Sequence, residues 1–371
     1  MRSLTVLHTE WSDGWGGQEI RVVEEARGVA ECGHRVLIVA RPQCRILAKA
    51  REAGLETREL EMRRAFDFAA VKKLRDIIRA ERADIVVTHS SVDSWIGTFA
   101  AKHAGAKLIR TRHLSSEVPS HPFNIIYRLP DAVVTTGESV RRQLIKHSRL
   151  REEKVVSIPT GVDVEKFAPR PADLAAKRAL GLPDDCKVVT MVAVLRKFKR
   201  HELFLEAARL LKGEGEGLRF LVVGEGPRRA HIERMIREKN LGECVIMTGH
   251  LDDVRPVLSF TDVAVLSSGW GEGVPQAVAQ ALAMARPVVA TDVGSVSELV
   301  RNEETGLLVP KEHAEKLAAG ISRMLKEAEF AKECGERGNN HVVANFSRQK
   351  MIEDTLRLYE RLVQSDSQTV S

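Results

Sequence analysis

Two short stretches of this 371-residue chain carry residue types at a spacing suited to anion chemistry. In one, residues 263–266 form an apolar run, residues 267–274 a glycine-rich turn around Glu272, and a helical pattern opens at Pro275. Proline is favoured at a first helical position because its missing N–H would be unpaired there anyway. The N–H groups of Gly273 and Val274, backed by the positive end of the helix dipole, can hold a diphosphate. Glu272 stands at the mouth of the turn to meet a ligand's hydroxyls. Gln280 lies about a turn and a half along the helix and can reach the same ligand. In the other stretch, Arg196, Lys197, Lys199 and Arg200 crowd between an apolar run at 188–194 and a helical pattern at 203–211. Arg196 and Lys199 so placed are fixed cations that neutralise charge building on a departing phosphate, where a plain solvated loop would leave them idle.

Both stretches need a strand behind them and a helix ahead. The chain supplies that alternation from end to end, the mark of a parallel α/β architecture. Strand-like runs fall at 4–7, 36–40, 85–88, 108–111, 132–135, 155–158, 188–194, 221–223, 245–248 and 263–266. Helical patterns include 18–31, 68–80, 94–103 and 138–147. Ligands of open parallel sheets gather beyond the carboxyl ends of the strands. Gly16 and Gly17 follow the first strand; they either let a phosphate or acceptor approach the backbone or simply close a tight connection. His113 follows the 108–111 strand, which favours a ligand role over a structural one. Gly224 and Glu225 follow the 221–223 strand, where they serve either a turn or the close packing of a base or ribose. His34 precedes its strand and reads as structural, and Asp163, in the Pro/Gly connector at 159–169, reads as a turn former. The basic helix at 68–80 reads as a cover for the sheet rather than as a membrane helix, because its apolar stripe is narrow.

Taken together, these motifs resemble the retaining, GT-B-fold glycosyltransferases of family 4, the glycosyl transferases group 1. The resemblance covers nearly the whole chain and is strongest over 188–310. It implies two Rossmann-like parallel-sheet domains facing across a cleft that closes on substrate, with a C-terminal helix crossing back to the first domain. On that reading residues 1–165 are the acceptor-binding domain, 166–346 the nucleotide-sugar domain and 347–364 the returning helix, with Met351, Ile352, Leu356 and Tyr359 on its buried face. Residues 365–371 are expected to be disordered.

The implied reaction is transfer of a sugar from a nucleoside diphosphate to a hydroxyl of a glycan or lipid-linked acceptor, with retention. Glu272 would fix the donor sugar, Arg196 and Lys199 would offset the charge on the leaving diphosphate, and His113 would position the reacting sugar. Gly16, Gly17, Gly224, Glu225, Gly273, Val274, Pro275 and Gln280 would line the ligands. Two positions depart from the family pattern. Gln280 stands where the family has a second Glu, and Val194 stands at the usual Arg position, so that Arg196 substitutes while Lys199 matches directly. No Asp-x-Asp occurs in the sequence, so no metal is expected, and no cofactor beyond the donor is implied. A GT-B-fold sugar-nucleotide epimerase, or a catalytically silent partner subunit, would share the fold and the donor site.

Composition narrows the setting. Hydrophobic residues at 43% and charged residues at 29% exclude a disordered chain. The net charge of +6 is uneven, with 27 Lys+Arg against 22 Asp+Glu in residues 1–165, so the first half either faces an anionic membrane or acceptor or is simply a solvated basic surface. Nucleic acid is not expected, because the basic residues are dispersed and aromatics are only 5%. The five scattered cysteines suit a reducing cytosol, and no apolar run reaches the roughly 18 residues of a membrane span. With no leader ahead of the first strand, the expected location is cytoplasmic, with room for peripheral contact on the inner membrane face. The family resemblance implies a role in lipopolysaccharide-type envelope synthesis.

Overall fold

The computed structural model describes residues 2–115, 124–148, 150–213 and 217–367. The chain divides into two compact units, Met1–Gly161 together with Arg348–Ser371, and Val162–Ser347. This division falls four residues ahead of the boundary expected at 165/166.

In the first unit the strands are β1 (Thr5–Glu10), β2 (Arg35–Ala40), β3 (Glu56–Glu59), β4 (Ile85–Thr88), β5 (Lys107–Arg112), β6 (Ala132–Thr135) and β7 (Val155–Ser157). They form a parallel sheet in the order β3-β2-β1-β4-β5-β6-β7, with Leu7 opposite both Leu37 and Val86. In the second unit the strands are β8 (Lys187–Val192), β9 (Leu218–Val223), β10 (Val245–Gly249), β11 (Val263–Leu266), β12 (Val288–Thr291) and β13 (Leu307–Val309). Their order is β10-β9-β8-β11-β12-β13, again parallel. Helices cover both faces of such sheets, so the central strands are almost wholly buried and mostly apolar, with polar residues such as His8, Glu10 and Arg110 toward the carboxyl ends of β1 and β5. Each sheet reverses its strand order at its first strand, β1 or β8. Loops diverge there and leave room for a ligand. Both anion-suited stretches follow strands at the β8/β11 reversal.

The returning helix, Arg348–Ser367, belongs to the first unit, as the GT-B arrangement requires. Met351, Ile352 and Tyr359 are buried, Leu356 is half-buried, and Leu358 completes the apolar face. The helix lies close against Gly17–Glu31, because a Cβ on Gly28 would sit 2.0 Å from Ile352 Cδ1. Arg348 pairs with Glu24 at 3.0 Å and Glu31 at 2.8 Å. Helix continues through Ser367, into the stretch expected to be disordered; residues 368–371 lie outside the described residues.

Several elements depart from the sequence pattern. The helix after the Glu272 turn is Gln276–Ala283, with Pro275 as its extended N-cap rather than its first helical residue. Pro275 therefore contributes its carbonyl, which accepts from Val278 and Ala279 at 3.1 Å each. β3 is the polar edge strand Glu56–Glu59, invisible to hydrophobic patterning because only one side of it is paired. The basic helix Phe68–Ala80 buries Ala70, Leu74 and Ile78 and covers the sheet as expected. His34 is structural: its Nδ1 accepts from the Leu4 N–H at 3.1 Å. Asp163 makes a turn by accepting from the Lys166 N–H at 2.9 Å.

Candidate active site

In the second unit, two loops are laced into one surface. Ser267, just past β11, donates its hydroxyl to the carbonyls of Lys199 and Arg200, each at 3.0 Å, and the Gly269 N–H donates to Phe198 at 2.8 Å. Thr291 ties the same turn to β12 by donating to the Ser268 carbonyl at 2.7 Å. The lacing brings Lys199 Nζ to 2.6 Å from Glu272 Oε1, and the Ser268 hydroxyl donates to that same oxygen. Glu272 is only 5% exposed. A buried carboxylate is tolerated when it is paired and hydrogen-bonded in this way. Both contacts fall on Oε1, which leaves Oε2 to accept from a ligand. Gly271 makes the turn possible with φ 83, a conformation open to glycine.

Sequence reasoning grouped Arg196 with Lys199, and the structure separates their duties. Lys199 is shared with Glu272, whereas Arg196 and Lys197 are exposed and make no ion pair among the described residues. Arg200 is engaged with Glu312. Gly273 and Val274 are buried, and their N–H groups find no partner among the described residues. Gln280 is half-buried, one turn past Gln276, whose Oε1 is buried without a hydrogen bond. The surface thus offers free donors, two spare cations and an aligned carboxylate.

At Gly224 and Glu225, expected to serve either a turn or a ligand, the structure shows a tightly packed turn. A Cβ on Gly224, at φ 142, would sit 2.1 Å from the Ala193 carbonyl oxygen. Leu195 N–H donates to the Glu225 carbonyl at 2.9 Å, so this turn packs main chain against main chain beside the Arg196 loop. The Glu225 side chain is engaged with Arg229.

In the first unit, the loops after β1, β4 and β5 converge. Glu10, fully buried at the end of β1, accepts from the Ser12 N–H at 2.8 Å, from Gln18 Nε2 at 2.7 Å and from the Ser90 hydroxyl. Gly16 is extended and donates its N–H to Glu19 Oε2 at 2.9 Å, and the helix begins at Gly17. Arg110 donates to the Ser90 carbonyl. Asp93 Oδ2 accepts from the Thr9 hydroxyl at 2.9 Å and the His89 N–H at 2.8 Å. Burial, then the charge of Glu10, pushes the Asp93 carboxyl up to about 8, and burial also raises Glu10. His113 Nε2 lies 3.0 Å from His89 Nδ1, so His113 joins the loop group through the residue before Ser90. Glu10, His89 and Asp93 escaped sequence reading. His89 follows β4 as His113 follows β5, so the signal that picked out one applied equally to the other. Among the described residues no group of three or more His, Cys, Asp and Glu is arranged to hold a metal ion.

A pair of switch-point parallel sheets, a phosphate-suited turn after β11 and a returning C-terminal helix define a GT-B glycosyltransferase. Residues 174–341 match the glycosyl transferases group 1 and residues 15–166 match Glycosyltransferase Family 4; the chain belongs to this family. It is 27% identical over 318 residues to the Escherichia coli UDP-Gal:alpha-D-GlcNAc-diphosphoundecaprenol alpha-1,3-galactosyltransferase, covering 80% of each chain. A glycosyltransferase from Rickettsia africae superposes with a TM-score of 0.87 at 22% identity, over 98% of this chain and 99% of that one. Anabaena HepE in complex with UDP-glucose also superposes with a TM-score of 0.87, at 16% identity over 96% of this chain and 100% of that one. The enzyme is therefore a glycosyltransferase.

Proposed function

We propose that this enzyme moves a hexose, with retention and without a metal, from a uridine-diphosphate sugar to a hydroxyl of a lipid-linked glycan in cell-envelope polysaccharide synthesis. The observation that carries the donor half is the Lys199–Glu272 contact of 2.6 Å beside the unpartnered N–H groups of Gly273 and Val274. The donor diphosphate lies against those N–H groups and the dipole of Gln276–Ala283, with Arg196 and Lys199 neutralising the charge that grows as the glycosidic bond breaks. Glu272 Oε2 accepts from a sugar hydroxyl, and Gln280 meets the ribose. His113 and the Gly16–Gly17 turn hold the acceptor side. HepE in complex with UDP-glucose and the galactosyltransferase acting on a diphosphoundecaprenol-linked sugar support the donor and acceptor classes.

A membrane-bound acceptor fits one patch of the first unit. Phe68 is 81% exposed and Phe66 55%, beside the exposed Arg63, Arg64, Lys72 and Lys73. Exposed aromatics ringed by cations suit the interface of an anionic bilayer. No helix among the described residues is long and apolar enough to cross a membrane.

Incubation with a panel of UDP-hexoses and a synthetic lipid-diphosphate monosaccharide tests the reading. UDP release that depends on acceptor, and a product with the donor's anomeric configuration by proton NMR, is expected. Inversion, or release requiring an added divalent cation, would overturn the mechanism.

A further inference from the structure

Behind His113 runs a buried chain of imidazoles. His113 Nε2 is 3.0 Å from His89 Nδ1, and His89 Nε2 is 3.0 Å from His8 Nδ1, with ring centroids 5.3 and 5.2 Å apart. His8 and His89 are 0% and 3% exposed, His113 is half-buried, and His8 Nε2 ends the chain buried without a partner. Each N···N contact needs one proton, since two lone pairs or two N–H groups facing at this distance repel. Neutral rings then leave one proton for an end, either on His8 Nε2 or on His113 Nδ1. An orphaned buried N–H is rarer than an under-used acceptor, so the proton resides on His113 Nδ1 and all donors point outward from His8.

The same arrangement resists further charging. A fourth proton arriving at His113 can be accommodated only by shifting each proton inward, which places an N–H on the partnerless His8 Nε2 and a charge among buried rings. The charged groups around the chain leave it neutral. Arg21 and Glu25 face it from Gly17–Glu31 and Arg110 from β5, while Glu10 lies on β1 and Asp93 is bound to the His89 N–H. Burial lowers the proton affinity of all three histidines.

We infer that His89, backed by His8, is a positioning residue that holds His113 as a neutral imidazole with its proton on Nδ1. His113 then presents a fixed N–H donor to a ligand oxygen and does not switch to imidazolium where a free histidine would. The consequence for catalysis rests on the ligand role proposed for His113. The tautomer itself does not, and it is read without any substrate.

Long-range nitrogen–proton NMR correlations on the full-length nitrogen-15-labelled protein, from about pH 5.5 to 8, test it. All three histidines are expected to show a protonated Nδ1 and a bare Nε2 that do not change over this range. An Nε2–H on His113, or its conversion to imidazolium above about pH 6, overturns the inference. His89→Leu frees His113 Nε2, so His113 is expected to populate both tautomers, and the pH profile of kcat should gain an acid limb near pH 6 to 6.5 that the wild type lacks. His89→Gln can accept from His8 and donate to His113, and should restore the single tautomer and the flat profile. A spectrum and profile unchanged in His89→Leu would show that His89 only fills space. If His89→Leu does not fold, the wild-type and His89→Gln spectra decide.

Discussion

The two loop groups treat charge in opposite ways. In the second unit opposite charges are paired and spare cations remain: Lys199 lies 2.6 Å from Glu272, and Arg196 and Lys197 make no ion pair among the described residues. In the first unit burial works against charge on the acids and imidazoles, although the Arg110 guanidinium lies among the same loops: it pushes Asp93 up to about 8, raises Glu10 and lowers His8, His89 and His113. A surface that must accept a diphosphate needs cations that stay charged. A surface that must hold neutral hydroxyls is better served by dipoles, because a bare charge there would bind water or ions instead.

The largest effect that should separate the two regions comes from Glu272→Ala. We expect kcat to fall by about 100- to 1,000-fold with circular dichroism unchanged; retained turnover would place the donor elsewhere. Lys199→Ala removes the cation proposed to face the leaving group and also leaves Glu272 buried without its counter-ion. Its kcat should fall about 100-fold, and chemical denaturation should show a loss of about 2 to 3 kcal/mol. Normal stability in that variant would mean that Ser268 alone satisfies the carboxylate.

Gly224→Ala tests whether the turn after β9 belongs to ligand or to packing. With a Cβ directed at the Ala193 carbonyl from 2.1 Å, the cost should be about 2 kcal/mol or more on unfolding, whether or not donor is present. A stable variant that loses only donor affinity would return Gly224 to the ligand-contacting role.

In the first unit the expected effect lies in pH dependence. Asp93 keeps its proton in the folded protein up to about 8 but loses it near its ordinary value when unfolded. Between those values the folded state binds more protons, so stability declines as pH rises from about 4 to 8. Asp93→Asn should flatten that decline, as read from melting temperatures across the range; an unaltered slope would mean that Asp93 is ionised in the fold. The smallest effect is expected from Gln280→Glu, whose restored second acceptor should change donor affinity by only a few-fold in calorimetry. No change at all would remove Gln280 from the ribose.

Much of this was legible in the chain. Strand runs such as 263–266 and 85–88 are continuous and apolar because both sheet faces are covered, and that signal survives without an alignment. The strand, turn and helix around Glu272 were readable because an apolar run, a cluster of glycines and a proline mark a strand that turns into a helix. What could not be read has identifiable causes. β3 is polar because it is an edge. Gly224 looks the same in sequence whether a ligand or Ala193 approaches it. The Lys199–Glu272 pair spans 73 residues and exists only because β8 and β11 are neighbours. His8 follows a short apolar run and gains meaning only once β4 lies beside it and presents His89.

The central claim is that donor diphosphate is held by the charged group of the second unit and not by the neutral group of the first. Calorimetric titration of UDP into the wild type, Arg196→Ala, Lys199→Ala and His113→Ala tests it most directly. The account predicts at least tenfold weaker binding in both cation variants and a change of less than about twofold in His113→Ala. Weakening in His113→Ala equal to that in Lys199→Ala would contradict it.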